Sequence, residues 1–472
     1  MSEMTIGSQA LNNSAVPEFH EVVVIGGGAA GLVTAYDLRK KGIDVVLLEG
    51  QNYPGGRITT VHSNGFYAES GGAVITDGEV ETIALLKELS VGPLIDLGLH
   101  GLDLFMGKKT VHLTRMDGRV DGPRDLWSLV RFAFAAGKVG PQARFPGPGL
   151  LLGYRAAIKA IQEEKVFLNY PYDPKARENW DTTTFAEFLD RFHPSLREFV
   201  DLQLVVTAGE VSDRISLFWG LLTFNWNIQG SFYWINGGAS AFPLALAARL
   251  GDCVRLNSRV TSVKSGSDVR VEYEDQTGRK TLSAKSVILA VPPSVVLRIV
   301  DNLDSDKKEA LAAVPFGSYI VVHFICRKNF WAHKIKGGYL NCATTVFADI
   351  LDSTRGQKGK GGILTCFIAG PEARRLIDAS DSAIVAEVER DLGRVFPGAR
   401  EEITEHLITR WREGIPYFHP GYGQLIQVLQ QPQGRLFFCG DYTEGAGIHD
   451  AVVSGLRSSK QVTQFLSDSI AK

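Results

Sequence analysis

One stretch, His20 to Gly50, constrains this chain more than any other. Val22, Val23, Val24 and Ile25 form an apolar, β-branched run that reads as a buried parallel strand. The turn Gly26-Gly27-Gly28-Ala29-Ala30-Gly31 follows and fits G-x-G-x-x-G. Leu32, Ala35 and Leu38 then recur at helical spacing, Gly42 marks the helix end, and Val45 to Leu48 make a second apolar strand that finishes on Glu49. Each part has a physical job. Gly26 permits the tight turn, Gly28 lets a pyrophosphate approach the backbone, and Gly31 lets the helix pack on the strand. The helix N-terminus at Ala29 and Ala30 offers unpaired N–H groups and a positive dipole end to phosphates. Glu49 stands about 20 residues on, where a carboxylate accepts hydrogen bonds from a ribose hydroxyl. The stretch therefore predicts a dinucleotide-binding βαβ unit.

A chain of 472 residues exceeds what one core usually serves, so two domains are expected. Fifty basic residues against 52 acidic ones leave a net charge of −2, which gives no field for nucleic acid. Cys253, Cys326, Cys342, Cys366 and Cys439 show no C-x-x-C spacing and read as free thiols of a reducing, cytoplasmic setting. No run approaches the ~20 apolar residues of a membrane span, and residues 1–18 read as a flexible polar tail without a signal sequence. The apolar helix expected over Leu126 to Ala136, with Trp127, Leu129, Val130, Phe132 and Phe134, reads as a packed helix of the second domain. A membrane-surface or substrate-entrance helix is the other reading.

After Glu49, Pro54-Gly55-Gly56-Arg57 forces an irregular loop in which Arg57 is a bidentate donor for a phosphate or a ring edge. Glu69-Ser70-Gly71-Gly72-Ala73 is a second small-residue turn, where backbone can lie against a planar ring. Residues 77–234 carry helical patterns (Val80 to Leu89, Leu150 to Glu164, Thr184 to Phe192, Leu196 to Val206) broken by Phe145-Pro146-Gly147-Pro148-Gly149. Strand signals return over Val254 to Val291, over Ser318 to Cys326 and over Gly362 to Ile368. Near the end come Leu436 to Asp441 and a closing helix around Ala451 to Leu456.

The series G-G-G-A-A-G-L, an acid-ended strand, G-G-R-x-x-T and E-x-G-G-A resembles the flavin-containing amine oxidase superfamily, which includes monoamine and polyamine oxidases, protoporphyrinogen oxidases and carotenoid desaturases. The resemblance implies FAD rather than NAD, because a nicotinamide fold has no need of the Gly55-Gly56-Arg57 loop. It implies an α/β fold in which a discontinuous Rossmann-like FAD-binding domain (19–76, 235–300 and 425–472) joins a substrate domain with a mixed sheet and a helical insertion (77–234 and 301–424). It further implies FAD contacts at Gly55, Gly56, Arg57, Gly72, Ala73, Val260, Gly440, Asp441 and Ile448, the last where the closing helix points its N-terminus at the flavin ring.

The pocket positions depart from the family pattern. Val321 stands where oxidases commonly carry a lysine that holds a water at the flavin; His323, two residues on and on the same strand face, is a candidate replacement, and a core or surface histidine is the other reading. Gly414 and Gly447 stand where an aromatic sandwich is built in monoamine oxidases. No cysteine lies near 412–417 to tether the flavin, so FAD is expected to be non-covalent. Ala73-Val74-Ile75-Thr76 lacks the basic residue of amino-acid oxidases, which argues against an α-carboxylate substrate. Trp226, Tyr233, Trp234, Trp411 and Tyr417 remain to form an aromatic pocket. Trp411, Tyr442, His323 and His449 are the catalytic candidates, with His449 and Asp450 expected to form a polar pair at the flavin edge. The expected activity is removal of a hydride from a carbon beside an amine nitrogen. The alternatives are a C–C desaturase or isomerase of an apolar small molecule and, last, a flavin-binding scaffold. The partner is a small-molecule substrate, and a homodimer stays open.

Overall fold

A computed structural model describes residues 18–98, 101–115, 120–133, 152–153, 155–159, 180–192, 194–229 and 231–470. Two seven-stranded sheets organise them. In the first, Glu18–Ile25 lies parallel to Val45–Leu48 on one side and to Gly278–Leu289 on the other. Leu436–Phe438 adds a further parallel strand beside Gly278–Leu289, and Arg259–Ser265 and Val269–Asp275 form an antiparallel meander at one edge. Val22, Val23, Val24 and Leu47 are fully buried, as a parallel strand covered on both faces requires. The helices Ala29–Lys40 and Ile448–Ile470 pack against each other on this sheet, with Gly455 giving way to the carbonyl of Ala30. Segments from the beginning, middle and end of the chain thus share one sheet.

The second sheet runs in the order Ile403–Pro416, Phe316–Cys326, Gly362–Ala369, Asp349–Asp352, Tyr339–Cys342, Leu102–Phe105, Thr110–Leu113. Alternation divides its faces. Ile320, Val322, Phe324, Leu340, Ile350, Leu364 and Cys366 point into a core completed by Ile384, Val388, Leu392 and Val395 of the helix Asp381–Val395. On the other face, Tyr319 Oη donates to the carbonyls of Val205 and Val206 of the helix Pro194–Ala208, whose Gln203 Nε2 donates to Asn341 Oδ1.

The helix expected over 126–136 is found as Pro123–Ala133, its later residues lying outside those described. Leu129 and Phe132 are buried, as a packed helix requires, whereas Leu126 and Trp127 are exposed. The tail 1–17, the Pro/Gly breaks at 145–149 and most of the helix expected over 150–164 also lie outside the described residues. None of the described helices is long and apolar enough to cross a membrane.

Candidate active site

The first half of the site is a glycine cradle. Gly26 adopts φ +107°, and a Cβ there would stand 2.4 Å from the carbonyl oxygen of Ala290. A Cβ on Gly31 would stand 2.0 Å from the carbonyl oxygen of Gly26, so only glycine lets this helix approach its strand. Gly28, by contrast, faces open space with no atom within 4 Å. It caps the helix Ala29–Lys40 without a side-chain bond and with no acid in the first turn, leaving the N–H groups of Ala29 and Ala30 for an anion. Glu49 accepts from the N–H of Gly27 at 2.6 Å and of Gln51 at 2.7 Å. Each carboxylate oxygen retains a lone pair for a ribose hydroxyl. Its carbonyl accepts from Ser258, which brings the half-buried Val260 to the same edge.

The second half closes over this cradle. Gly55 N–H donates to the Gly27 carbonyl, and a Cβ on Gly56 would lie 3.3 Å from Gly28 Cα. Arg57 Nη2 donates to Asp441 Oδ1 at 2.7 Å and Nη1 to the Gly414 carbonyl at 2.9 Å, while the guanidinium lies 5.6 Å from the Phe316 ring centre. Arg57, expected as a donor to a phosphate or a ring edge, spends one N–H of each Nη on a carbonyl and a carboxylate and so straps three segments together. Gly71 lies tight against the Arg57 carbonyl, and Gly72 sits beside Ile448 at the start of the closing helix, next to the buried Ala73. Gly440 takes φ +147°, with the Tyr442 ring packed over it.

Around this closure two of the four catalytic candidates, Trp411 and His323, meet at Ser70. Trp411 Nε1 donates to the Ser70 carbonyl at 2.6 Å, which ties the second sheet to the Ser70-Gly71-Gly72 turn. His323 does share a sheet face with Val321, but its Nε2 bonds Ser70 Oγ and its Nδ1 bonds Thr365 Oγ1, both at 2.8 Å. Burial pushes its pKa down to about 4. With both nitrogens committed, the ring has none left to hold a water as a lysine would, which corrects that expectation. His449 and Asp450 do not pair either, since successive helical residues point about 100° apart. His449 Nδ1 bonds Thr82 Oγ1 at 3.0 Å and its Nε2 lies 3.6 Å from Glu81, while Asp450 packs against Gly445 and Gly447. Burial, with Glu79, Glu444 and Asp441 nearby, raises the Asp450 carboxyl well above its usual range. Tyr442 is fully buried, and its Oη has no hydrogen-bond partner among the described residues.

A small, partly open cleft lies where the helices Pro194–Ala208 and Leu217–Gln229 meet the end of the strand Ile403–Pro416. Thr207, Trp219, Thr223, Tyr417 and Phe418 line it, together with Ala446 from the turn before the closing helix. Trp219 and Phe418 stack with ring centres 3.9 Å apart. Sequence reasoning named Tyr417 here but missed Trp219 and Phe418. It also missed Tyr319, against which a Cβ on Gly414 would stand 2.6 Å from Cδ2. Tyr319 fills the space beside Gly414, so the glycine there is a packing requirement. The only sequence signal for Trp219 was an aromatic at i+4 from Ile215 on an apolar helix, which also describes ordinary core.

A parallel sheet with an uncapped helix N-terminus over glycines, sealed by an arginine strap beside an aromatic cleft, defines a dinucleotide-dependent oxidoreductase architecture. The profile of the flavin containing amine oxidoreductase family matches residues 29–463, and the chain belongs to that family. It is 27% identical to an amine oxidase [flavin-containing] of Oncorhynchus mykiss and 24% identical to amine oxidase [flavin-containing] B of Sus scrofa. Each match covers 94% of this chain, with 85% and 86% of the respective relative. Its fold resembles wild-type putrescine oxidase bound to putrescine (TM-score 0.75, 21% identity, 94% of this chain and 99% of that one). Cyclohexylamine oxidase from Brevibacterium oxydans is similar too (TM-score 0.73, 20% identity, 95% and 99%). The enzyme is an FAD-dependent oxidoreductase of the amine oxidase type. The open face of Gly28, the uncapped helix and the free lone pairs of Glu49 fit the pyrophosphate and ribose of FAD.

Proposed function

We propose that this enzyme oxidises a small amine at the carbon beside its nitrogen, with FAD held non-covalently. Bound FAD supplies the hydride acceptor at flavin N5. The substrate C–H bond breaks with its electron pair, the nitrogen lone pair forms the C=N bond, and a proton leaves the nitrogen. The imine then hydrolyses to a carbonyl compound and ammonia or an amine.

The observation that carries the proposal is the aromatic cleft of Trp219, Phe418 and Tyr417, which meets the FAD half of the chain at Ala446. Its residues orient the amine and exclude water, which keeps the amine's lone pair unsolvated. Trp411 holds the Ser70-Gly71-Gly72 turn in place from the sheet side. Gly26, Gly28, Gly31, Glu49 and the Arg57–Asp441 strap hold the cofactor. The strand-sharing of the chain's start, middle and end supports a division into an FAD domain (19–76, 235–300 and 425–472) and a substrate domain. Val321, buried at 2% exposure, leaves no ammonium at the usual oxygen-activating position, so reoxidation by oxygen is slow or another acceptor serves. Nothing specific supports a desaturase or isomerase.

Incubation of the FAD-loaded enzyme with primary and secondary amines, with an artificial electron acceptor present, tests this. Release of the matching aldehyde or ketone supports it. Absence of a carbonyl product with every amine, while an alkene forms from an apolar substrate, contradicts it.

A further inference from the structure

The hairpin of Thr60–Ser63 and Phe66–Glu69 lies on the second sheet, with Phe66 and Ala68 packed against Ile325 and Ile363. Ile325 and Ile363 stand opposite each other, and so do His323 and Thr365, two residues along on the same face. An apolar pair at those two positions would extend the patch without the cost of burying polar atoms. Instead a line of four buried groups runs through it. Ser353 Oγ bonds Thr365 Oγ1 at 2.6 Å, Thr365 Oγ1 bonds His323 Nδ1 at 2.8 Å, and His323 Nε2 bonds Ser70 Oγ at 2.8 Å. Ser70 is the first residue after the hairpin and begins the turn through Gly71 and Gly72.

Every polar group of Ser70 is held. Its N–H donates to the Thr59 carbonyl at 2.8 Å, its carbonyl accepts from Trp411 Nε1 at 2.6 Å, and its hydroxyl bonds His323. Trp411 and His323 come from adjacent strands of the second sheet, Ile403–Pro416 and Phe316–Cys326. Beyond Ser70 the turn opens out. Gly72 N–H donates to the Arg57 carbonyl at 2.9 Å, yet Gly72 itself is exposed, and a Cβ built there would first meet the Ile448 side chain at 3.5 Å. Glycine backbone exposed between the Arg57 strap and the closing helix is a surface on which a planar ring can lie.

Apolar contact is non-directional, so Phe66 and Ala68 alone would let the hairpin settle at more than one place along the sheet. Hydrogen bonds between fixed donors and acceptors select one. The line is satisfied whichever way its protons run. The imidazole, kept neutral by burial, donates from one nitrogen and accepts at the other, and each hydroxyl does both. We propose that His323 is a positioning residue for the flavin reaction: through Ser70 it fixes the Gly71-Gly72 backbone against which the ring of bound FAD lies. The proposal rests on FAD binding at this turn and not on the identity of the substrate.

The test uses the FAD-loaded enzyme and three variants. The amide nitrogen of Gln reaches about as far as Nε2 and that of Asn about as far as Nδ1, so His323→Gln keeps the Ser70 bond and His323→Asn keeps the Thr365 bond. Each breaks one bond of the line, so the thermal midpoints of the two FAD-free proteins should fall alike. The flavin separates them. In His323→Asn the oxidised flavin band shifts and FAD affinity falls roughly tenfold, as the loss of one buried hydrogen bond implies, while His323→Gln keeps the parent's band and affinity. Ser70→Ala, a smaller change, reproduces the Asn result and carries the test if the His323 variants fail to fold. A parent-like band and affinity in His323→Asn and Ser70→Ala overturn the proposal, and so does a His323→Gln variant as altered as His323→Asn. None of these readouts needs an amine, so their failure leaves the amine-oxidising function standing, whereas a flavin that no amine bleaches contradicts that function and not the role of His323.

Discussion

Arg57 Nη2 donates to Asp441 Oδ1 across 2.7 Å, joining the loop after the Glu49 strand to the turn before the closing helix. Both side chains are largely buried, and the same guanidinium bonds the Gly414 carbonyl of the second sheet. Three segments around the glycine cradle are thereby fixed to one another. Arg57→Met removes both bonds and leaves Asp441 unpaired, so it should cost about 1.5–3 kcal/mol per charged hydrogen bond lost. The checks are a lower thermal midpoint and faster FAD loss on dilution, read by flavin fluorescence. Arg57→Lys should recover only part of this, since an ammonium lacks the fork that reaches both acceptors.

Two glycines of one motif should fail in different ways. Gly28 has φ −72° and nothing within 4 Å of a built Cβ, so Gly28→Ala should leave the FAD-free protein's thermal midpoint unchanged while weakening FAD binding. Gly31→Ala forces a Cβ to 2.0 Å from a backbone oxygen, so it should destabilise the protein with or without FAD by about 1–3 kcal/mol. Calorimetric melting of both forms separates the two outcomes.

His323 should set part of the acid sensitivity. Its pKa falls to about 4 in the fold because burial disfavours the imidazolium, against an ordinary value of 6.5. The stability this represents is present above about 6.5 and is lost as pH falls toward 4, on the order of 3 kcal/mol in all. Urea midpoints at pH 7 and pH 4.5 should therefore differ more in the parent than in His323→Leu, which cannot titrate. Glu69 works in the opposite sense. Burial raises it to about 7 although it accepts from Ala239 N–H and Thr60 Oγ1, so its contribution is present at low pH and lost as pH rises through 7. Glu69→Gln should flatten that alkaline-side decline.

Val321→Lys should speed reaction of the reduced enzyme with oxygen. The side chain at 321 points from the 316–326 strand to the same side as Tyr319, away from the Ile320–Val322 core. Stopped-flow mixing of reduced enzyme with air-saturated buffer should show at least about a tenfold gain, worth about 1.4 kcal/mol of barrier. An unchanged rate would mean that position 321 does not face the reacting ring.

The cradle was legible in the sequence because glycine spacing, strand composition and an acid at a strand end are local signals. Val45 to Leu48 appear as read, and Glu49 carries the backbone bonds that orient its carboxylate. The second sheet was half legible: Ser318 to Cys326 and Gly362 to Ile368 showed as apolar runs, but their neighbours Asp349–Asp352 and Tyr339–Cys342 are only four residues long and half polar. Site roles were the least legible. His323 could be read as a lysine replacement or as a core histidine, because nothing in its neighbourhood announces Ser70, 253 residues away. The strap from Arg57 to Asp441 was not legible, because the two stand 384 residues apart.

The central claim is that an amine delivers its electrons to the bound flavin. The most direct test follows the absorbance of the purified, FAD-loaded enzyme under anaerobic conditions while primary and secondary amines are added. The account predicts loss of the oxidised flavin band with at least one amine, and its slow return when air is admitted. A flavin band that no amine bleaches, while dithionite reduces it normally, would contradict the account.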